Sequence, residues 1–431
     1  YYLFAIKDAA AFNGETCVVA GSNTIAGSIQ TLLGDSLVVS DSETLEIKLA
    51  QPAAYFLAEL SYPTSYAVPE QLIDHDGIQN DTHWTDHLAK NGGLGGGLYK
   101  LTQWDHAGHI VMQRNDAFWG AKPRLREIDL TVYKDASAAY DDYNQHKLDV
   151  GYPTPAAYAN ASRQPDFHST SYIETDYFAM NWDNPPFNDV TMRQAFALAL
   201  NKDQIAGAAG RGAAMPTNHI VPEGMPGYNA SLTGVDGSTS LKGNPAKASQ
   251  LEQAYVQAHC GAAAVCPKVV VTVDDGSADL SGEAQVAFQA WQSAFPGYPI
   301  SIQTIGSNAL TASAAAHKLQ LWASSRTGRY PDPQDWLSAQ FLLGAQYNYE
   351  NVKDAQASAL LTQADADENQ TQRMRLYEKA EQLLVDDVAW LPIGQARIGW
   401  QVRAYVANYD QDALGYCAVV DQWPDVYIMQ H

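Results

Sequence analysis

Two arginines, Arg326 and Arg329, stand three residues apart in LWASSRTGRYPDP (321–333), just ahead of Asp332 and Asp335. A guanidinium is a flat fork of donors that suits a carboxylate, a phosphate or a carbonyl and repels an ammonium. Two readings follow from the residue types. Either the pair receives an anionic or carbonyl group of a ligand, or Arg329 is paired internally with Asp332, Asp335 or another acid of this very acidic chain.

Residue types that would run enzyme chemistry do not assemble. His83 and His87 are four apart, but Trp84 occupies the place where a zinc-protease helix needs its glutamate, and a third ligand is missing. A surface helix is the plainer reading. There is no G-x-S-x-G elbow. Asp274 and Asp275, like Asp386 and Asp387, are chain neighbours whose carboxylates point apart, which suits solvated caps rather than paired acid and base work. The glycine cluster GGLGGG at 92–97 precedes a strand and has no Lys-Ser or Lys-Thr after it, so it is a poor phosphate cradle. Cys260 and Cys266 flank GAAAV, a spacing that favours a small disulfide ring over a metal knuckle and points to an oxidising compartment. Cys17 and Cys417 either pair or stay free. No catalytic residue, metal or cofactor is expected.

Composition narrows the class. At 431 residues there is room for two or three domains, and 46% apolar against 17% charged residues describes a globular chain. A net charge of −22 with no basic stripe excludes nucleic acid as a partner and argues against a broad footprint on an anionic membrane. No run reaches the length of a membrane-spanning helix, and YYLFAIKDAAAF lacks the basic start and cleavage site of a signal peptide.

The elements that must position these residues are organised around 172–205. Tyr172 to Trp182 is rich in β-branched and aromatic residues and predicts a strand, which ends at Pro185 and Pro186. Asp189 offers an N-cap to a helix carrying Val190, Phe196, Ala197 and Leu200 as its apolar stripe. Before this block, 1–34 reads as mixed helix and loop with Tyr2, Ile6 and Ala9 or Ala10 on a buried face. DSETLEIKL (41–49) alternates as a half-buried strand, and AQPAAYFLAEL is a short helix followed by an extended SYPTSYAVPEQLI. LYKLTQW and HIVMQR form a hairpin turning at 105–108, capped by Phe118 and Trp119, with another strand at 129–133. Residues 135–149 predict a helix with Ala139, Tyr143 and Leu148 inward. After it come a long ordered loop at 206–245, a helix at 247–259, and a βαβ unit of buried strands 268–273 and 300–304 around helix 284–294. A strand at 317–324, a helix at 369–387 with Met374, Tyr377, Leu383, Leu384 and Val388 on one face, and a last strand region from Ala389 complete the order.

Five ordered motifs resemble the oligopeptide and dipeptide family of extracytoplasmic solute-binding proteins of ABC importers. Asn181, Pro186, Phe187, Asp189, Val190, Arg193, Gln194, Ala195, Ala199, Asn201 and Lys202 fit its domain-crossing segment. Gly95, Gly97, Tyr99, Lys100 and Leu101, followed by Arg114, Asn115, Phe118, Trp119 and Gly120, fit its G-x-G-x-Y-K-L hairpin. Gln51, Pro52, Val68 and Pro69 fit a third element, LDVGY (148–152) a fourth, and Tyr330, Pro331, Asp332 and Pro333 its Y-x-D-P.

The resemblance implies an α/β fold with two periplasmic-binding-protein-like lobes (type II, cluster C), an extra domain and a central ligand cleft. The expected division is 1–93 for the remainder of the extra domain, 94–173 for the first lobe, 174–400 for the second, and 401–431 for a return to the first. It implies no chemistry, but capture of an oligopeptide or related small solute and delivery to a membrane permease by a monomer in the periplasm or on the cell surface as a lipoprotein. The front of the family pattern, with its secretion signal, is expected to lie outside this chain. The lobes are expected to be joined near 172–177 and 394–400. In the family, peptides add as a strand between the lobes, here beside 321–333, which implicates Ser325, Arg326, Thr327 and Arg329. Peptide binders commonly carry an aspartate where Arg329 stands, so the resemblance implies a ligand without a free amine at that point. Tyr152 and Tyr177 fall at pocket-lining positions, with core packing as the rival account, and Gln395 and Arg397 sit where the last crossing faces the cleft. The competing readings are an α/β hydrolytic enzyme, or a non-peptide ligand such as an acidic compound, an oligosaccharide or a metal chelate.

Overall fold

The computed structural model describes residues 3, 5–9, 32–67, 96–105, 108–208, 214–261, 265–413 and 423–430. The expectations for Tyr2, Cys17, Val68, Pro69, His83, His87 and Cys417 lie outside them.

The described strands are β1 Leu37–Val39, β2 Leu45–Ile47, β3 Tyr99–Trp104, β4 His109–Arg114, β5 Glu127–Thr131, β6 Val150–Gly151, β7 Phe167–Met180, β8 Met215–Pro216, β9 Val269–Asp274, β10 Ile300–Ile305, β11 Leu321–Thr327, β12 Trp390–Val402, β13 Val406–Ala407 and β14 Tyr427–Ile428. The helices used below are α1 Phe56–Glu59, α2 Ala136–Asn144, α3 Pro155–Ala161, α4 Val190–Leu198, α5 Lys202–Ala208, α6 Pro245–His259, α7 Ala278–Ala294, α8 Ser307–Ala315, α9 Pro333–Trp336, α10 Ser338–Phe341, α11 Ala355–Ala366 and α12 Gln370–Asp386. The fold is mixed α/β.

Among the described residues the main sheet runs β10-β9-β11-β7-β12-β6, with β8 on β12. β10, β9 and β11 are parallel, as the βαβ reading of 268–304 expects, whereas β7 and β12 are antiparallel to their neighbours. The two faces of β7 explain why both sides are covered by helices. Phe178 and Met180 enter one core with Phe187, Phe196, Trp291 and Val271, while Tyr177 and Ala179 enter another with Trp336, Phe341, Tyr377, Leu384 and Trp390. Period-two alternation thus places apolar groups on both faces, and each needs its own helical layer.

Local chemistry sets the boundaries. The Asp189 carboxylate accepts the Thr191 N–H at 2.8 Å and starts α4; Asp135, Asn244 and Asn369 start α2, α6 and α12 in the same way. The Asp105 carboxylate accepts the N–H groups of Gly108 and His109, both at 2.6 Å, which closes the β3–β4 turn. Cys260 and Cys266 are disulfide-bonded, as the spacing suggested.

Several expectations are corrected. Val190 is exposed, and the buried side of α4 is Met192, Arg193, Ala195, Phe196 and Leu198; a helix covered on most sides has no single stripe to read. Leu45 is exposed at the tip of the β1–β2 hairpin. Trp119 is 90% exposed and caps nothing among the described residues. β10 is an edge strand and only partly buried. The inner face of α12 is Arg373, Leu376, Tyr377, Ala380, Glu381, Leu384 and Val385, with Met374 and Leu383 at its margin.

The segment 217–244 holds neither helix nor strand, and its backbone groups are met by side chains. Buried Glu381 accepts the N–H groups of Ile220 and Val221, both at 2.8 Å, and Gln382 brackets Thr233. Lys202 Nζ donates to the Thr217 carbonyl at 2.9 Å and to Asn218 Oδ1 at 2.8 Å. An irregular stretch against a core keeps its order through such bonds.

Candidate ligand cleft at the β7–β12 ribbon

β7 and β12 pair from Ala179–Trp390 to Phe167–Gln401, so both sequence-predicted crossings belong to a single antiparallel ribbon. The register is broken twice. Between Gln395–Thr175 and Arg397–Ser171, three residues of β7 (Tyr172, Ile173 and Glu174) pass the single Ala396. Bulges of this kind bend a strand and re-aim its side chains.

β11 flanks this break. It pairs with β7 along its whole length, Leu321–Met180 to Thr327–Glu174, but with β9 only at Leu321 and Trp322. From Ala323 to Thr327 the other edge of β11 has no strand partner among the described residues. Ser325 and Thr327 are exposed there, and Thr327 Oγ1 donates to Glu174 at 2.9 Å. An open edge of this length offers main-chain donors and acceptors to an incoming extended chain.

The end of that edge is fixed by charge. Arg326 Nη2 donates to Asp335 Oδ1 at 2.7 Å and to the Asp335 carbonyl at 2.8 Å. Arg329 donates its backbone N–H to Asp335 Oδ2 at 2.8 Å and its guanidinium to Oδ1 at 3.0 Å. Asp335 is fully buried and both arginine side chains are nearly so. Of the two readings of Arg329, internal pairing is the one found, and Asp335 is the partner.

Asp332 caps α9 and forms a two-point pair with Arg373 on α12, which ties the Y-x-D-P turn to the helical layer. Gly328 is needed where it stands, since a Cβ would come within 2.6 Å of Ile173 Cδ1 and 2.9 Å of Trp336 Nε1.

The remaining sequence-predicted residues lie apart. Tyr177 is buried and stacks on Trp390 with ring centroids 3.8 Å apart; burial raises its phenol well above the ordinary range. Tyr152 is half-exposed beyond β6, whose Gly151 pairs with Gln401, and its hydroxyl lies 3.4 Å from that of Tyr409. Tyr177 pairs with Pro392, so the two tyrosines are about eight residues, or roughly 26 Å, apart along the ribbon. Gln395 is buried. Its Oε1 accepts the Glu223 N–H at 2.8 Å, and its Nε2 donates to the carbonyls of Tyr172 at 3.2 Å and Glu223 at 3.0 Å. It is therefore a staple between the ribbon and the 217–244 segment. Glu381 escapes sequence reasoning, and Asp335 stands there only as one of several possible partners of Arg329, because a buried carboxylate looks like any other acid until its partners are in place. Among the described residues, no group of histidine, cysteine and acidic side chains is arranged to hold a metal ion.

Comparison with known proteins agrees with this architecture. The family model described as Bacterial extracellular solute-binding proteins, family 5 Middle, matches residues 8–348. The oligopeptide-binding protein OppA of Bacillus subtilis is 22% identical over 403 residues, covering 91% of this chain and 69% of that protein. The dipeptide-binding protein of Escherichia coli is 24% identical over 382 residues, covering 87% and 69%. Among solved structures, the substrate-binding protein CtaP of Listeria monocytogenes has a TM-score of 0.73 at 17% identity, over 91% of this chain and 78% of that one. DppA of Helicobacter pylori, solved with the peptide STSA, has a TM-score of 0.70 at 18% identity, over 100% and 81%. These likenesses give the two-lobed α/β binding-protein fold.

Proposed function

The chain belongs to the family 5 bacterial extracellular solute-binding proteins, and from that premise we propose that it captures an extended peptide and hands it to the membrane permease of an ABC importer. Family members are extracytoplasmic. The observation that carries the peptide reading is the open edge of β11 from Ala323 to Thr327, beside the kinked ribbon. A peptide adding there as a strand gains main-chain hydrogen bonds, and affinity is then largely independent of its side chains.

In this reading Ser325 and Thr327 touch the ligand, while Arg326 and Arg329 hold the edge in shape through Asp335. Gln395 anchors the wall of the cleft, Tyr177 supports its floor through Trp390, and Tyr152 belongs to the far end of the groove. The ribbon is the hinge between a lobe ending near 173 and one spanning 174–400, with 401–431 returning to the first and 1–93 belonging to an extra domain. The protein acts as a monomer, without a cofactor and without chemistry on its ligand.

The test is to incubate the protein with a defined mixture of short peptides, isolate the complex and identify what is retained by mass spectrometry. A stoichiometric, chemically unchanged peptide and a raised melting temperature are expected. Retention of nothing, or recovery of cleaved products, would overturn the reading.

A further inference from the structure

The one-turn helix α1 belongs to the early part of the chain, yet one side of it is sealed against residues more than 250 positions later. Tyr55, Phe56 and Glu59 are buried while Leu57 between them is exposed. The Tyr55 ring centre lies 5.8 Å from the Arg373 guanidinium of α12, the same guanidinium that grips Asp332 in the Y-x-D-P turn. A helix this short has little stability of its own, so its place depends on what it packs against.

Glu59 is carried into that contact. The residue is 5% exposed, its Oε2 is buried with no hydrogen-bond partner, and no cation among the described residues forms an ion pair with it. The charged and titratable groups around the contact are Asp335, Asp332 and Tyr330 from α9 and the turn before it, Arg373 from α12, Asp365 from α11, and Tyr55 beside α1 itself. The guanidiniums there already have carboxylates: Arg373 holds Asp332, and Arg326 and Arg329 share Asp335. An ionised Glu59 would be a second buried anion near Asp335 with no cation left for it, whereas a neutral Glu59 is only a small polar group. Burial, with Asp335 as the neighbouring charge, pushes its carboxyl up to about 8.

We propose that α1 is a proton-dependent clasp: with Glu59 protonated it stays docked on the layer of α9 and α12, and with Glu59 ionised it lets go of the Y-x-D-P turn. With the lobes divided as above, the clasp joins the extra domain to the second lobe, so the freedom of the two to separate is set by pH. The inference goes beyond ligand capture and needs no ligand in the cleft. Its sign follows from the two states. The docked form holds a proton that the undocked form, with its carboxyl in water at the ordinary value of 4.5, gives up, so docking is favoured most below that value and is lost as pH rises through about 8.

The experiment places 4-fluorophenylalanine at buried Phe56 of the full chain and follows its fluorine NMR signal at pH 6 and pH 9, without peptide. The probe does not titrate, and its shift separates a packed ring from a solvated one. In wild type the docked-to-free ratio should fall by about tenfold or more between the two pH values. Glu59→Gln, neutral and of the same shape, should stay docked at both, and Tyr55→Ala, which removes the ring from Arg373, should be free at both. A wild-type signal that does not move, a Glu59→Gln chain that follows the wild-type course, or a Tyr55→Ala chain that stays docked would each overturn the clasp while leaving peptide capture untouched. Melting curves show that each chain is folded, and the wild-type titration decides alone if a variant is not.

Discussion

The ring of Tyr177 on β7 lies flat on the indole of Trp390 on β12, with planes 16° apart, and the indole N–H is donated to Glu350 Oε1 at 2.9 Å. Two neighbouring strands of the ribbon are therefore joined through side chains as well as through the ladder. The carboxyl that closes this contact is almost completely buried, and its second oxygen has no hydrogen-bond partner.

Burial pushes the Glu350 carboxyl up to about 7. Folding raises this group above its unfolded value, so the stability it contributes is complete below about pH 4.5 and is lost as pH rises to about 7. Glu350→Gln keeps an acceptor for the indole but cannot titrate. The variant should equal wild type near pH 5 and exceed it above pH 7 by an amount on the order of 2 kcal/mol. Urea midpoints at pH 5 and pH 8 measure this, and a constant offset between the two proteins would refute it.

Lys202 runs in the opposite sense. Complete desolvation lowers its amine to about 7, so above that pH the folded chain has released a proton that the unfolded chain holds until about 10.5. This group makes stability rise with pH between those values. In Lys202→Met the rise should vanish while the volume is kept. The difference between the two proteins, followed by denaturant unfolding from pH 7 to 10, isolates the effect from the tyrosines that titrate nearby.

Asp335→Asn removes the buried carboxylate that Arg326 and Arg329 both meet. Breaking a buried pair in this way costs about 3–5 kcal/mol, whereas Arg329→Gln, which leaves Asp335 its bond to Arg326, should cost less. Equal losses in equilibrium unfolding would show that the carboxylate is not shared.

Gly328→Ala should destabilise by about 1–3 kcal/mol, because Ile173 and Trp336 are both core residues with little room to yield. Gly207→Ala is the matched control. Nothing lies within 4 Å of its added methyl group, and its helical site gains about 0.5–1 kcal/mol from alanine. Thermal melts of the two variants should move in opposite directions.

Much of the fold was legible because it rests on short-range signals. The proline turn and Asp189 cap after β7, the β3–β4 hairpin, the βαβ unit of β9, α7 and β10, and the Cys260–Cys266 bridge each follow from residues close in the chain. What escaped depends on distant partners. The sequence does not show that Val190 faces outward, because a helix covered on most sides gives no phase, nor that Leu45 does, because alternation does not say whether a second layer exists to bury it. Gln395 reads in the sequence as a cleft-facing residue, but its amide is consumed by Tyr172 and Glu223, 223 and 172 residues away in sequence. The competing fates of Arg329 were visible in the sequence; only the position of Asp335 chooses between them.

Because three residues of β7 slip past the lone Ala396 before the ladder closes again at Ser171 and Arg397, the chain length there is counted one residue at a time. Losing one residue from 172–174 would hand Phe167 to Ser171 to the opposite side of the sheet, with His168 moving into the place of Ser169. Point changes along this span alter single contacts, whereas a change of length would rewrite the whole inventory of groups that meet a guest. Relatives that differ here by an insertion or deletion should therefore diverge in what they carry far more sharply than their percentage identity suggests.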